Sequence, residues 1–116
     1  MLRLLNLVLC LVMLVFAAVQ YNDPDLLLWI VYYLVPATWA FIAAFRHRIF
    51  QSVQWLGWLW ASVAAWAGLV WYYWPKMPNF WQTAVWTQEE TAREGMGLMI
   101  ALAVLLVALF TAYKKR

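Results

Sequence analysis

Four apolar stretches alternate along the chain with short polar breaks. Crossing a hydrocarbon core about 30 Å thick takes about 20 mainly apolar residues. The first stretch runs from about Leu4 to Gln20, with Asn6 as its only polar interruption before Gln20. The second runs from about Leu26 to Ala44 or Phe45, the third from about Phe50 to Trp74, and the fourth from about Gly95 to Tyr113. All four are predicted to be helices, because an isolated strand cannot satisfy its backbone in lipid. The breaks fall at Asn22-Asp23-Pro24-Asp25, at Arg46-His47-Arg48, and at Pro75 and Pro78. Pro36 lies inside the second stretch and is predicted to kink it, which membrane helices tolerate. Asn79-Phe80-Trp81-Gln82 reads as a helix cap with a Gln three residues on. A short interfacial helix is therefore expected over about 79–86.

Each stretch carries a stripe of small or polar residues at helical spacing. In the first it is Asn6, Cys10, Met13, Ala17 and Gln20, and in the second Pro36, Ala40 and Ala43 or Ala44. In the third it is Gly57, Ala61, Ala64 or Ala65 and Gly68, and in the fourth Gly97, Ala101, Ala108 and Ala112. Lipid tails are as apolar as Leu, so membrane helices associate through such residues. Four stripes and short connections predict an all-α integral membrane protein, an antiparallel four-helix bundle. Residues 1–116 would form a single four-span membrane domain.

Composition agrees with that reading. Of 116 residues, 68% are hydrophobic and 11% charged. So small a soluble domain could not bury that much apolar surface. A soluble enzyme, a disordered chain and a nucleic-acid binder are excluded. Arg3, Arg46, Arg48, Lys114, Lys115 and Arg116 fall on one side of the four stretches, with no acid among them. Lys76, Arg93 and all five acids fall on the other. The positive-inside rule then places both termini in the cytoplasm, in an inner or plasma membrane if the source is bacterial. A cleaved leader at Ala17-Ala18-Val19 is disfavoured, because the first apolar run is long and the site poor. The single Cys10 forms no intrachain disulfide, and the single His47, in a basic loop, is expected to be solvated. The ten tryptophans include Trp71 and Trp74, which with Trp29, Tyr32 and Tyr33 suit an outer aromatic belt. Trp39, Trp60 and Trp66 lie deeper, where indole N–H groups need acceptors, and are expected to pack against a ligand or partner.

The acidic end admits two readings. Asp23 as cap, Pro24 at the first helical position and Asp25 beside the dipole would simply start the second helix. Thr87 with Glu90 three residues on is a capping box, and Glu89 and Arg93 stand in ion-pair order. The second reading is a site. The second and fourth stretches both begin at this end, so Gln20, Asn22, Asp23, Asp25, Glu90, Arg93 and Glu94 can converge there, with Tyr32 or Tyr33 lining the wall. Glu94 abuts an apolar run, where a carboxylate is expensive and usually functional. A hard divalent cation would accept Asp23, Asp25, Glu90 and Glu94 as ligands. An organic cation suits the same carboxylates and aromatic faces, and a lipid head group or quinone-like molecule the aromatic rim. No other cofactor is expected. A soft metal site at Met77, Met96 and Met99 and a proton relay through Glu94 and Glu90 are weaker alternatives.

Gln20-Tyr21-Asn22-Asp23-Pro24-Asp25, followed by Trp29, Tyr32 or Tyr33 and Pro36-Ala37, resembles the transmembrane protein 220 family. A second block, Glu89-Glu90-Thr91-Ala92-Arg93-Glu94-Gly95-Met96-Gly97-Leu98, is similar to that family's acidic pattern. The resemblance implies a small polytopic membrane protein, and that these two blocks belong together; it lends no mechanism. The first functional expectation is non-enzymatic: an accessory protein or subunit whose acidic–aromatic end docks a membrane partner, or a second copy, or binds a small cation. The alternative is a membrane-embedded enzyme or carrier using Asp23, Glu90 and Glu94 as acid/base or binding groups.

Overall fold

The computed structural model of the chain describes residues 1–22, 24–86 and 89–115. Their regular structure is all helical. Helix α1 (Leu2–Ala18) runs on into a 3₁₀ turn, Val19–Asn22. Then come α2 (Leu26–Phe45), a 3₁₀ turn His47–Gln51, α3 (Val53–Tyr72), the short α4 (Thr83–Trp86) and α5 (Glu90–Lys114). Helices α1, α2, α3 and α5 are long and apolar enough to cross a membrane. The 25 residues of α5 rise about 37 Å, about 7 Å more than a bilayer core is thick. Its polar first turn can therefore stay helical beyond the apolar run that starts at Gly95.

Polar contacts fix how the helices meet. Arg3 Nε donates to the Ala44 carbonyl at 3.1 Å, and its guanidinium lies 5.7 Å from the centre of the Phe45 ring. Asn6 is fully buried and its Nδ2 donates to Thr111 Oγ1 at 2.8 Å, joining the start of α1 to the end of α5. Trp39 Nε1 donates to Ser62 Oγ at 3.0 Å, and Trp60 Nε1 to the Tyr113 hydroxyl at 2.8 Å. These contacts gather Arg3, the 46–48 turn and the end of α5 at one end, here called the basic end. The starts of α2 and α5 form the acidic end.

Pro36 has no N–H to offer the Tyr32 carbonyl one turn back. Trp66 Nε1, from α3, donates to that carbonyl at 2.9 Å. A partner from the neighbouring helix thus satisfies the acceptor that the proline frees, and α2 runs unbroken through Pro36. The indoles of Trp39, Trp60 and Trp66 each find an acceptor on a neighbouring helix, and Trp60 stays 48% exposed.

Three of the four stripes face inward. Asn6, Cys10, Met13 and Ala17 are the buried residues of α1; Pro36, Ala40, Ala43 and Ala44 are buried on α2; Gly97, Ala101, Ala108 and Ala112 are buried on α5. Helix α3 is the exception. It packs through Leu56, Leu59 and Val63, while Gly57, Ala61, Ala64, Ala65 and Gly68 face outward. It lies against α5 and meets α2 through the indoles of Trp66 and of Trp39 from α2, so bulky side chains span the gap and the small face is left outside.

Other local expectations change as well. Trp29 and Tyr33, assigned to the aromatic belt, are core residues, whereas Trp71, Tyr72 and Trp74 are exposed. His47 is half-buried, with Nδ1 enclosed and without a hydrogen-bond partner. Residues 79–82 form a turn, with Asn79 at φ 58°, and the helix that follows is confined to α4.

Candidate functional site

At the acidic end a cavity of about 590 Å³ lies between α1, α2 and α5. Each wall is one helical face. From α5 come Glu90, Arg93, Glu94, Gly97 and Ile100, at spacings of three and four, with Met96 beside them. The end of α1 and its 3₁₀ turn supply Phe16, Val19 and Gln20, and α2 supplies Trp29 and Tyr33, four apart. Pro24 closes the rim.

The cavity exists because Tyr33 stands between α1 and α5. At the basic end those two helices are joined through Asn6 and Thr111. At the acidic end the Tyr33 hydroxyl presses on Gly97, at a point a Cβ would occupy. The Tyr33 ring meets Phe16 edge-on, with centroids 5.4 Å apart. Tyr33 is 3% and Trp29 2% exposed, so both are fixed by packing. Trp29 also contacts Tyr32 and Tyr73 edge-on, with centroids 5.1 and 5.2 Å apart. Tyr73, just past α3, joins its hydroxyl to that of Tyr32 at 3.4 Å. That bond first, then burial, then neighbouring charges including Glu94, hold its phenol above the ordinary range, so it stays neutral. A Cβ at Gly95 would sit 2.6 Å from Pro75, so the chain leaving α3 lies directly on the start of α5.

The structure brings Gln20, Tyr33, Glu90, Arg93 and Glu94 to this one cavity. Glu94 is half-buried; Glu90 and Arg93 are exposed. Tyr32 does not line the cavity: it faces Tyr73 and Trp66 on the other side of α2. Asp25 is exposed and not among the lining residues; it stands at the N-cap position of α2, with Pro24 before the helix rather than in its first turn. Glu90 is the first residue of α5 rather than the third, with Glu89 at the N-cap position; Thr87, the expected cap, lies outside the described residues. Asp23, Thr87, Gln88 and Arg116, and the side chain of Asn22, lie outside the described residues. Among those described, no three His, Cys, Asp or Glu side chains form a group that could hold a metal ion. Met96 lines the cavity; Met77 and Met99 do not. Phe16, Val19, Pro24, Trp29, Met96, Gly97 and Ile100 were not expected in the site. The i, i+3, i+4, i+7 series from Glu90 was the available signal for Gly97.

Four membrane-length helices, three of them around a charged and aromatic cavity, define a multi-pass integral membrane protein. The family model described as Transmembrane family 220, helix, matches residues 12–110. The chain belongs to that transmembrane 220 family, as its two sequence blocks implied. No curated protein and no solved structure matches it.

Proposed function

We propose that this protein is a non-enzymatic accessory protein whose extracytoplasmic cavity binds a small organic molecule bearing a cationic group. In this reading the chain is one four-span domain, an antiparallel bundle with both termini in the cytoplasm. The pairing of Arg3 with Ala44, of Asn6 with Thr111 and of Trp60 with Tyr113 supports the alternating helix directions. The bias of basic residues towards the end holding Arg3 supports the orientation. The observation that carries the binding role is the cavity wall: two carboxylates, Glu90 and Glu94, against one guanidinium, Arg93, in a pocket of small-molecule size.

A ligand that binds only the folded protein raises its unfolding temperature. In detergent, ethanolamine and tetramethylammonium are the probes, with Ca²⁺ and Mg²⁺ run beside them. The expected result is stabilisation by an organic cation, lost in Glu94→Gln, with no comparable effect of the metal ions. Absence of a shift with either organic probe overturns the binding role. A shift confined to the divalent ions transfers the site to a metal.

A further inference from the structure

We infer that the occupant of this cavity is a zwitterionic phospholipid with a primary ammonium head group, entering sideways from the outer leaflet between α1 and α5. This rests on the binding role proposed above and names its ligand class. The charged wall has a sign order that suits a zwitterion. Arg93 lies on one helical face between Glu90 and Glu94, with a carboxylate within a turn on either side. A guanidinium matches the oxygens of a phosphate, and carboxylates accept hydrogen bonds from an ammonium. An anionic head group would meet two carboxylates, and a purely cationic one would still bind them but gain nothing from Arg93. The rings favour a primary ammonium over a quaternary one. Trp29 and Tyr33 are engaged in edge-on and tilted contacts with other rings and are almost wholly buried. They do not form an open aromatic cage of the kind that recognises quaternary ammonium.

Apart from Gln20, the rest of the cavity is apolar or aromatic, with Phe16, Val19, Tyr33, Met96, Gly97 and Ile100 among its walls. From Glu90 to Ile100 the helix rises about 15 Å, of which the charged residues take the first turn. A head group alone would leave the lower part of the cavity without apolar contact. A glycerol backbone and the top of an acyl chain would fill it. Val19 and Ile100 are 59% and 39% exposed, on either side of the gap between α1 and α5. In a bilayer that gap faces lipid, so the occupant can reach the site without leaving the membrane.

Native mass spectrometry of the full chain in detergent tests this. The probes are dioleoyl phosphatidylethanolamine, phosphatidylcholine and phosphatidylglycerol, with free phosphoethanolamine as the soluble competitor. Phosphatidylethanolamine is expected to bind at least about tenfold more tightly than phosphatidylglycerol. Arg93→Gln and Glu94→Gln should each weaken it about tenfold, and Ile100→Trp, which fills the apolar half from an exposed position, should do the same. Val19→Trp fills that half from α1 and replaces Ile100→Trp if the latter does not fold. Equal binding of the anionic lipid, or undiminished binding after the apolar half is filled, overturns the lipid assignment. If ethanolamine or phosphoethanolamine stabilises wild type but not Glu94→Gln while no lipid is selected, the binding role survives and the lipid fails. If no probe distinguishes wild type from any variant, both fall.

Discussion

A proline and a tryptophan on different helices act as one unit at residue scale. Pro36 frees the Tyr32 carbonyl, and Trp66 Nε1–H occupies it. In lipid no water can take that place, so a lone acceptor is costly. Trp66→Phe should destabilise the protein by about 1–2 kcal/mol. With Ala at position 36 the helix supplies its own N–H, and the same Trp66→Phe change should cost about 1 kcal/mol less. Unfolding of the two single variants and the double variant in mixed micelles reads this coupling directly. Additive effects would show that the indole bond carries no energy of its own. Pro36 and Trp66 could each be noted in the sequence, but the 29 intervening positions hid their pairing.

Helix α3 differs from its neighbours at element scale, and its glycines show it. A Cβ added at Gly57 or Gly68 meets nothing within 4 Å. Ala at either position should be neutral or stabilising by about 0.5–1 kcal/mol, because Gly is the poorer helix former. On α5, by contrast, a Cβ at Gly95 would strike Pro75 and one at Gly97 would strike Tyr33. Gly95→Ala and Gly97→Ala should each destabilise by about 1–3 kcal/mol, and Gly97→Ala should also weaken any ligand of the cavity by shifting Tyr33. Thermal unfolding of the four variants tests the contrast; a uniform response would mean that α3 packs through its small face after all. Gly57, Gly68 and Gly97 belong to the small-residue stripes in sequence, and Gly95 only opens the fourth apolar run. Which of them meets a neighbour depends on where each helix lies in the bundle, which periodicity does not encode.

For the whole molecule, charge asymmetry and helix pairing describe one arrangement. Arg3, Arg46, Arg48, Lys114 and Lys115 belong to the end where α1 starts and α2 and α5 finish. Lys76 belongs to the end that holds the cavity, beside the turn that packs on Gly95. In a Cys10→Ser background, a cysteine at Lys76 should react with a membrane-impermeant maleimide on intact cells. A cysteine at Arg48 should react only after permeabilisation. The reverse pattern would invert the molecule and put the cavity in the cytoplasm.

Apolar run length and the placement of Pro, Asn and Arg were enough to mark four spans, because burying backbone in lipid leaves only the helix available. Spacing alone also marked the inward faces of α1, α2 and α5, since these are the small faces that let backbones approach. The acidic turns before α2 and α5 could be suspected of meeting; Gln20, Glu90, Arg93 and Glu94 line one cavity, and Asp25 stands outside it. Tertiary structure decided the rest. Tyr33 wedges α1 from α5, Tyr32 turns away to Tyr73, and Trp29 leaves the aromatic belt for the core. These choices depend on which bulky side chain meets which glycine across a helix interface. That is a property of the packed bundle, and no single helix carries it.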